Sequence, residues 1–293
     1  MGKAMARVEN AISAGVPASV LCQALSAWLP ARAAISKAPR GNVWRPRPVV
    51  TSVSPWADRV TAYHWDGDGY QDLATRLAPI LADSLHLAQS LTERLSWTPD
   101  EQRLAVDLTH RVFTWGRVRS RSPIDASHVQ AVFAAALEAA GLPYGPNAVE
   151  APWSSGWTKV AAFATAHLDH DAHTVGPPQV IWDSRVANAI RKLVDAGEAQ
   201  LPAPVTAQLK AELRQIHGRG GERHGLKLTG GWAFAHTRSQ KWTAQRAGSR
   251  LIGELRDALN AAPERFGKMP GSTHPDGRWT SWGVGVALFV EGY

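Results

Sequence analysis

Most of this chain carries apolar residues at the three- and four-residue spacing that lines one face of an α-helix. One such face runs from Val160 to Leu168, and another runs from Val186 to Val194. The same spacing predicts helices over 71–95, 99–116 and 125–141, and two more within 205–262 around a glycine-rich turn. The pattern therefore predicts a mostly α-helical protein.

Proline, glycine and aspartate interrupt this helical pattern. Residues 1–36 are typical of one or two alanine-rich helices, and 37–56 are typical of an extended linker rich in proline and arginine. Two Asp-Gly pairs within 61–70 predict a tight turn. The tail, 278–293, is rich in β-branched and aromatic residues, which suits either a short strand or a core plug.

The composition suits a polyanionic partner. Lysine and arginine total 32 against 25 acidic residues, which gives a net charge of +7. Twenty-four of the 32 are arginine, whose planar guanidinium matches phosphate well. Arginine is also abundant in proteins of GC-rich genomes, so the charge alone leaves the partner open. The 13 tryptophans either pack in cores or offer stacking surfaces to bases.

Cysteine content and hydropathy restrict the class of protein further. A single cysteine, Cys22, excludes an internal disulfide framework, a cysteine-held iron–sulfur cluster and a multi-cysteine zinc site. Residues 12–30 are uncharged, but serine, glycine, proline and glutamine interrupt them, which favours an amphipathic helix over a secretory signal. No stretch approaches the ~20 apolar residues of a membrane span. We therefore expect a cytoplasmic protein without membrane contact.

Residues 153–194 carry the most informative motif. They predict two helices around a polar loop, with Thr158-Lys159 opening the first and Trp182-Asp183 opening the second. This order resembles the helix-hairpin-helix DNA glycosylases, particularly the 8-oxoguanine DNA glycosylase branch. In that family a lysine at the hairpin attacks the sugar, and an aspartate about two dozen residues later opens the next helix.

The resemblance implies a fold and a domain division. The fold would be a mostly α, two-lobed helical bundle of the glycosylase type with an N-terminal extension. The expected parts are an N-terminal extension and arm (1–60), a helical lobe (61–150), and a catalytic lobe with the hairpin, C-terminal helices and tail (151–293). The arm, 37–56, then either lies along a DNA backbone or is a solvated linker.

Asp183 has two interpretations, which are compatible. It is either the N-cap of its helix or a catalytic carboxylate. A helix N-terminus favours an ionised carboxylate, and cleavage of a glycosidic bond develops positive charge at C1′ that such a carboxylate stabilises. By resemblance, Asp183 would be catalytic.

Lys159 also has two interpretations. By resemblance it is the nucleophile, and a position in the first turn of its helix would favour the neutral amine that attacks C1′ and forms a Schiff base. The alternative is a solvated lysine that contacts a phosphate.

The hairpin departs from the family pattern Leu-Pro-Gly-Val-Gly-Thr-Lys. Aligned on Thr158, its two glycine positions hold Ser155 and Trp157, with Gly156 between them. The resemblance assigns a DNA contact to Ser155, Gly156 and Thr158, although the glycine replacements change the geometry of the amides. Trp157 either lines the base pocket or packs in the core.

Further DNA and pocket residues follow from the same resemblance. Arg117 and Arg119, in the loop after a predicted helix, and Arg185 are candidate DNA contacts, with a solvated arginine run as the alternative. A late helix closes the base pocket in the family. Trp232, Phe234 and Trp242 are therefore candidate pocket residues, with ordinary packing as the alternative.

Residues 167–173 hold three histidines and two aspartates, yet their spacing matches no zinc-protease pattern. A polar interhelical loop explains them, so we expect neither a metal nor a cofactor.

The expected function is excision of a modified base from double-stranded DNA by a monomeric glycosylase, with or without an associated lyase activity. Within the resemblance, a bacterial group looks like antiviral factors that remove bulky modified cytosines from phage DNA. Base-excision repair of 8-oxoguanine and non-catalytic DNA binding remain the alternatives.

Overall fold

The computed structural model describes residues 18–25, 54–65, 68–120, 123–142, 150–170, 176–218 and 225–292. Within these ranges the protein is mostly helical. The α-helices are, in chain order, α1 (Ala18–Ala24), α2 (Pro55–Ala62), α3 (Tyr70–Arg94), α4 (Pro99–Trp115), α5 (Ala126–Ala139), α6 (Ser155–Thr165), α7 (Ser184–Gly197), α8 (Ala203–Glu212), α9 (Arg238–Ala261), the short α10 (Pro263–Phe266) and α11 (Ser281–Glu291). Single 3₁₀ turns follow α6 (Ala166–His170) and α7 (Glu198–Gln200).

The helical periodicity located these elements correctly. Helices α3, α4 and α5 coincide with the predicted 71–95, 99–116 and 125–141 within two residues at each end. Helices α8 and α9 lie within 205–262 as expected, apart from the first two residues of α8. The predicted turn is flanked by two short antiparallel strands, β1 (His64–Trp65) and β2 (Asp68–Gly69), in which His64 pairs with Gly69. Most of the predicted N-terminal helices and residues 37–53 of the arm lie outside the described residues.

The structure of the tail, 278–293, differs from one expectation. Residues 281–291 form helix α11, so the strand alternative is wrong. The Thr280 hydroxyl caps the helix by accepting a hydrogen bond from the Gly283 amide at 3.0 Å. Seven of the eleven residues of α11 are buried, all three of its valines among them, and tertiary burial overrides the modest strand preference of these valines. The core-plug alternative is therefore confirmed.

The described residues form two hydrophobic cores. One is built mainly by α3, α4, α5 and α6, and we call it the α3–α6 core. The other is built mainly by α1, α2, α7, α8 and α9, and we call it the α7–α9 core. Helix α11 lies between them, with Val284, Ala287 and Leu288 in the α7–α9 core and Val286 and Val290 in the α3–α6 core. The two cores therefore meet along α11.

No helix in the described part of the chain is both long enough and apolar enough to cross a membrane.

Candidate active site

Lys159 is held in the interior near the start of α6. Ser154 caps this helix, so that Lys159 is its fifth residue. Its side chain is only 8% exposed, and its ammonium nitrogen donates to the Ser155 carbonyl at 3.0 Å. A Cβ at Gly116 would lie 2.5 Å from the Lys159 Cδ, which shows that the lysine stem runs directly against the end of α4. Gly116 therefore makes room for the lysine.

The environment of Lys159 favours its neutral form. Burial lowers the pKa of the amine, and the charge of Arg185 lowers it further, while Asp183 acts in the opposite direction. The expected cause was the dipole at the first turn of the helix. The lysine lies beyond that turn, so removal from water is the main cause instead.

Asp183 caps the next long helix, α7. One carboxylate oxygen accepts from the amides of Arg185 at 2.8 Å and Val186 at 3.1 Å, and the other lies 3.6 Å from the Arg185 guanidinium. Burial alone would raise the pKa of this carboxyl. The charges of Arg185 and Lys159, together with the two amides, outweigh burial and hold the pKa below its ordinary value. Asp183 is therefore both an N-cap and an ionised carboxylate, and the charge of Lys159 contributes to the lowering of its pKa.

The residue before Asp183 is fixed by close packing. Trp182 is fully buried in the α7–α9 core, and its ring lies on α9 at Gly248. Any side chain at Gly248 would collide with this ring. The indole thus locks the start of α7, and with it the position of Asp183.

Lys159 and Asp183 come from different cores. Helix α6 belongs to the α3–α6 core, whereas Asp183 begins a helix of the α7–α9 core. Each keeps a small exposed fraction, 8% for Lys159 and 5% for Asp183. The buried amine and the buried carboxylate are therefore contributed by different cores, and the charge of each acts on the pKa of the other.

The hairpin residues Ser155, Gly156 and Thr158 do not form the DNA-binding surface that the resemblance implies. The Ser154 hydroxyl accepts hydrogen bonds from the amides of Gly156 at 3.2 Å and Trp157 at 3.3 Å. Gly156 is buried, and the fully buried Thr158 hydroxyl donates to the Ser155 carbonyl at 3.1 Å. Contacts of Gly156 and Thr158 with DNA are therefore incompatible with this structure, and Ser155 is the exposed residue of the three.

The three candidate arginines occupy two different settings. Arg117 and Arg119 are exposed in the loop after α4, as a DNA contact requires. Arg117 has a φ of 49°, and its guanidinium lies 5.9 Å from the centre of the Trp65 ring. Arg185 is half-buried between Asp183 and the ring of Phe289, at 4.8 Å from the ring centre. Arg185 is therefore a partner of the buried carboxylate, and its contact with DNA stays a prediction.

The four aromatic residues predicted to line one pocket do not form one group, because Trp157 and Trp242 pack in the α3–α6 core whereas Trp232 packs in the α7–α9 core. Trp157 packs edge-on against Phe113, and Phe234 stacks on His217. Trp242 donates to the carbonyl of Ala151, and Trp232 donates to Asp195. Asp195 is twelve residues along α7 from Asp183, about 18 Å at a helical rise of about 1.5 Å per residue. The predicted pocket of Trp157, Trp232, Phe234 and Trp242 is therefore wrong as a set.

Another aromatic group lies beside the lysine. Phe163 follows Lys159 by one helical turn on α6, and its ring lies 5.5 Å from Trp115 and 5.3 Å from Trp282. Trp115 directly precedes Gly116, against which the lysine stem packs. The spacing of Lys159 and Phe163 could have indicated one member of this group. The other two come from distant parts of the chain.

Asp169, from the histidine- and aspartate-rich segment, anchors this group. Its carboxylate accepts from the Trp282 amide at 3.2 Å and binds Arg256 at 3.1 Å. It therefore fixes the start of α11 and the position of Trp282. Residues 171–175 of the segment lie outside the described residues, and the described ones contain no group of three metal-binding side chains.

A separate, open surface groove lies along the other end of α4. Its lining includes Gln102, Arg103, Asp107 and His110. Because Gly116 is at the opposite end of α4, this groove does not reach Lys159.

Comparison of the chain with models of protein families, with curated proteins and with solved structures finds no match.

Proposed function

We propose that this protein is a DNA glycosylase that removes a modified base and leaves an abasic site. The observation that carries the proposal is that a buried amine, Lys159, and a buried carboxylate, Asp183, lie close enough for the charge of each to act on the pKa of the other. Binding of DNA alone requires neither a lysine held away from water nor a carboxylate beside it. Cleavage of a glycosidic bond by an amine nucleophile uses both.

Lys159 acts as the nucleophile in this proposal. Its neutral amine forms a bond to C1′ of the sugar, the glycosidic bond breaks, and the electron pair leaves with the base, which takes up a proton. Opening of the sugar ring then gives a Schiff base, which water hydrolyses. The alternative of a solvated phosphate contact is less consistent with a side chain that is 8% exposed and bonded to Ser155.

Asp183 stabilises the transition state in this proposal. Positive charge develops at C1′ as the base leaves, and a fixed carboxylate in a site shielded from water lowers that barrier. Two amides and Arg185 already orient Asp183, so it needs little rearrangement when the charge appears. The exposed Arg117 and Arg119 would bind the DNA backbone.

The substrate we favour is a glucosylated or hydroxymethylated cytosine of phage DNA. The partly exposed Trp65 and Trp282 offer faces that suit sugar rings as well as bases. Abasic-site formation should be compared on phage DNA with glucosylated cytosines, on unmodified DNA and on a duplex with 8-oxoguanine opposite cytosine. We expect cleavage on the glucosylated DNA. Cleavage confined to the 8-oxoguanine duplex would identify a repair enzyme, and binding without any cleavage would identify a non-catalytic DNA-binding protein.

Replacing Gly116 with alanine should impair excision through Lys159. The new Cβ would lie 2.5 Å from Cδ and 2.7 Å from Cε of the lysine, so the flexible lysine stem must move. We expect a loss of stability of about 1–3 kcal/mol, typical of overpacking, and at least a tenfold slower excision, since about 1 Å of displacement costs on the order of 100-fold.

The matched control is Thr114→Ala, an exposed position in the same last turn of α4. It should keep the wild-type rate. Thermal unfolding and single-turnover excision of both variants provide the comparison. Full activity in Gly116→Ala would show that the position of Lys159 is unimportant.

A further inference from the structure

The connection between helices α8 and α9 forms a surface that the candidate active site does not use. Residues 213–218 and 225–237 of this connection are described, and we call them the α8–α9 loop. A parallel bridge between Gln215 and Phe234 joins the two parts. The Gln215 amide donates to the Ala233 carbonyl at 2.9 Å, and the Ala235 amide donates to the Gln215 carbonyl at 3.0 Å. The two parts of the loop are therefore held side by side.

Buried side chains fix the loop on the α7–α9 core. Trp232 is 7% exposed, and its indole donates to Asp195 at 2.7 Å. Lys210 of α8 is 5% exposed, and its ammonium nitrogen would lie 3.7 Å from a Cβ at Gly230. Asp195 lies near the C-terminal end of α7, whereas Asp183 caps the start of that helix. The loop is therefore a preformed surface at the opposite end of α7 from Asp183.

Three aromatic rings lie at the outer side of the loop. The His217 ring is stacked on Phe234, with 3.8 Å between the ring centres and 15° between the planes. The His236 ring lies 5.9 Å from the His217 ring. His217 and His236 are exposed, whereas Phe234 is half-buried. Phe234 thus covers one face of the His217 ring and leaves the other face open to solvent.

The loop carries positive charge. Its described residues include Arg214 and Lys227 and no aspartate or glutamate. Arg214 donates to the Phe234 carbonyl at 3.5 Å, which places its guanidinium beside the stacked rings. Lys227 is exposed. The surface therefore combines open aromatic rings with cations.

Two carboxylates beneath the loop are already paired with cations. Asp195 accepts from Arg191 at 3.0 Å, and Glu198 accepts from Lys210 at 2.9 Å. Because these carboxylates are neutralised, the loop keeps its positive charge, which attracts a polyanion.

Open aromatic rings beside cations are the combination that binds single-stranded nucleic acid. Bases stack on aromatic side chains, and lysine and arginine bind the phosphates. In a duplex the faces of each base are covered by its neighbours, so an exposed ring can stack only on an unpaired base. The chemistry of the loop therefore favours a single strand over a duplex.

We infer that the α8–α9 loop binds single-stranded nucleic acid, with a base on the open face of His217 and phosphates at Arg214 and Lys227. The occupant is not the base to be excised, because the loop is anchored at the opposite end of α7 from Asp183. The inference does not rest on the proposed function, since a single strand can bind here whether or not the protein excises a base.

Two substitutions of His217 test the inference. His217→Glu removes the ring and introduces a carboxylate that repels phosphate, whereas His217→Tyr keeps an aromatic ring. Fluorescence anisotropy measures the binding of a labelled oligothymidylate, an oligouridylate and a DNA duplex of the same length. Wild-type protein should bind the single strands more tightly than the duplex.

The two variants should differ in their affinity for the single strands. His217→Glu should weaken this binding by at least about fivefold, the smallest loss expected when a base loses its aromatic partner. His217→Tyr should bind at least as tightly as the wild type, because its ring can stack on the same base.

The matched control is His110→Glu, which makes the same change of charge at an exposed position of α4. Helix α4 belongs to the α3–α6 core, so this variant should leave the loop unchanged and bind single strands as the wild type does. Thermal unfolding of all three variants checks the fold, which should be unaffected because both histidines are exposed.

The outcomes separate stacking from other causes of binding. Single-strand binding that His217→Glu weakens and His217→Tyr retains would support the inference, and a preference for oligothymidylate or oligouridylate would then identify the strand as DNA or RNA. Equal binding of single strands and duplex would overturn it, as would equal binding by the wild type and His217→Glu. A loss of equal size in His110→Glu would also overturn it, because overall charge would then explain the effect. Capture of phosphatidylserine vesicles by protein that binds no oligonucleotide would reject the inference in favour of an anionic membrane surface.

Discussion

Replacing Asp183 with asparagine is expected to slow base excision severely while the fold and DNA binding remain. Asparagine keeps the shape of the side chain and can accept the same amide hydrogen bonds at the start of α7. The loss of stability should therefore not exceed about 1–2 kcal/mol. Losing the negative charge at the reacting centre should slow excision by about 10²–10³-fold, or about 2.7–4 kcal/mol.

The protonation state of Lys159 in Asp183→Asn shows whether the carboxylate acts through the charge of the amine or through the transition state. Asp183 raises the pKa of the Lys159 amine, so its removal favours the neutral, nucleophilic form still further. Activity lost despite a neutral amine would assign to Asp183 the stabilisation of the transition state. Near wild-type excision by Asp183→Asn would remove Asp183 from the mechanism.

A matched control for Asp183 is available on another helix. Asp125 caps α5 and accepts from the His128 amide at 3.0 Å, but it is exposed and belongs to no part of the candidate site. Asp125→Asn should therefore excise at the wild-type rate. Single-turnover assays and DNA-binding titrations of both variants make the comparison.

The sequence was sufficient to predict the helices and the position of Asp183 as an N-cap. Helical periodicity depends on neighbours three and four residues away, so it can be read along the chain. A cap such as Asp183 is likewise local, because its hydrogen-bond donors follow within three residues. The resemblance then singled out Lys159 and Asp183, which are both buried, and their part in catalysis stays a prediction.

The aromatic surroundings of the pair could not be predicted in the same way. Trp115, Phe163 and Trp282 belong to three helices that are far apart in sequence, and their meeting depends on how α11 packs between the two cores. Periodicity shows which residues share a helix face but not which helices meet. For this reason the sequence predicts no function for the tail, 278–293, although Trp282 of the aromatic group lies in it.

Replacing Lys159 with glutamine should eliminate a covalent intermediate with DNA. If the amine attacks C1′, borohydride reduces the resulting Schiff base to a stable secondary amine, which links the wild-type protein to DNA. Glutamine has no nucleophilic amine, so the adduct should disappear and excision should fall by at least about a thousandfold, on the order seen when a nucleophile is removed. The variant should be as stable as the wild type or more stable, because a buried ammonium costs free energy.

The pH dependence of adduct formation gives an independent test of the buried amine. Because the pKa of Lys159 is lowered, the reactive neutral fraction should increase with pH and reach half its maximum below the ordinary lysine value of about 10.4. Lys227→Gln, at an exposed position, should form the adduct with the wild-type profile. Efficient excision without any adduct would mean that water attacks C1′, which would leave Lys159 to position the sugar. An adduct whose formation reaches half its maximum at the ordinary lysine pKa would show that burial does not activate the amine.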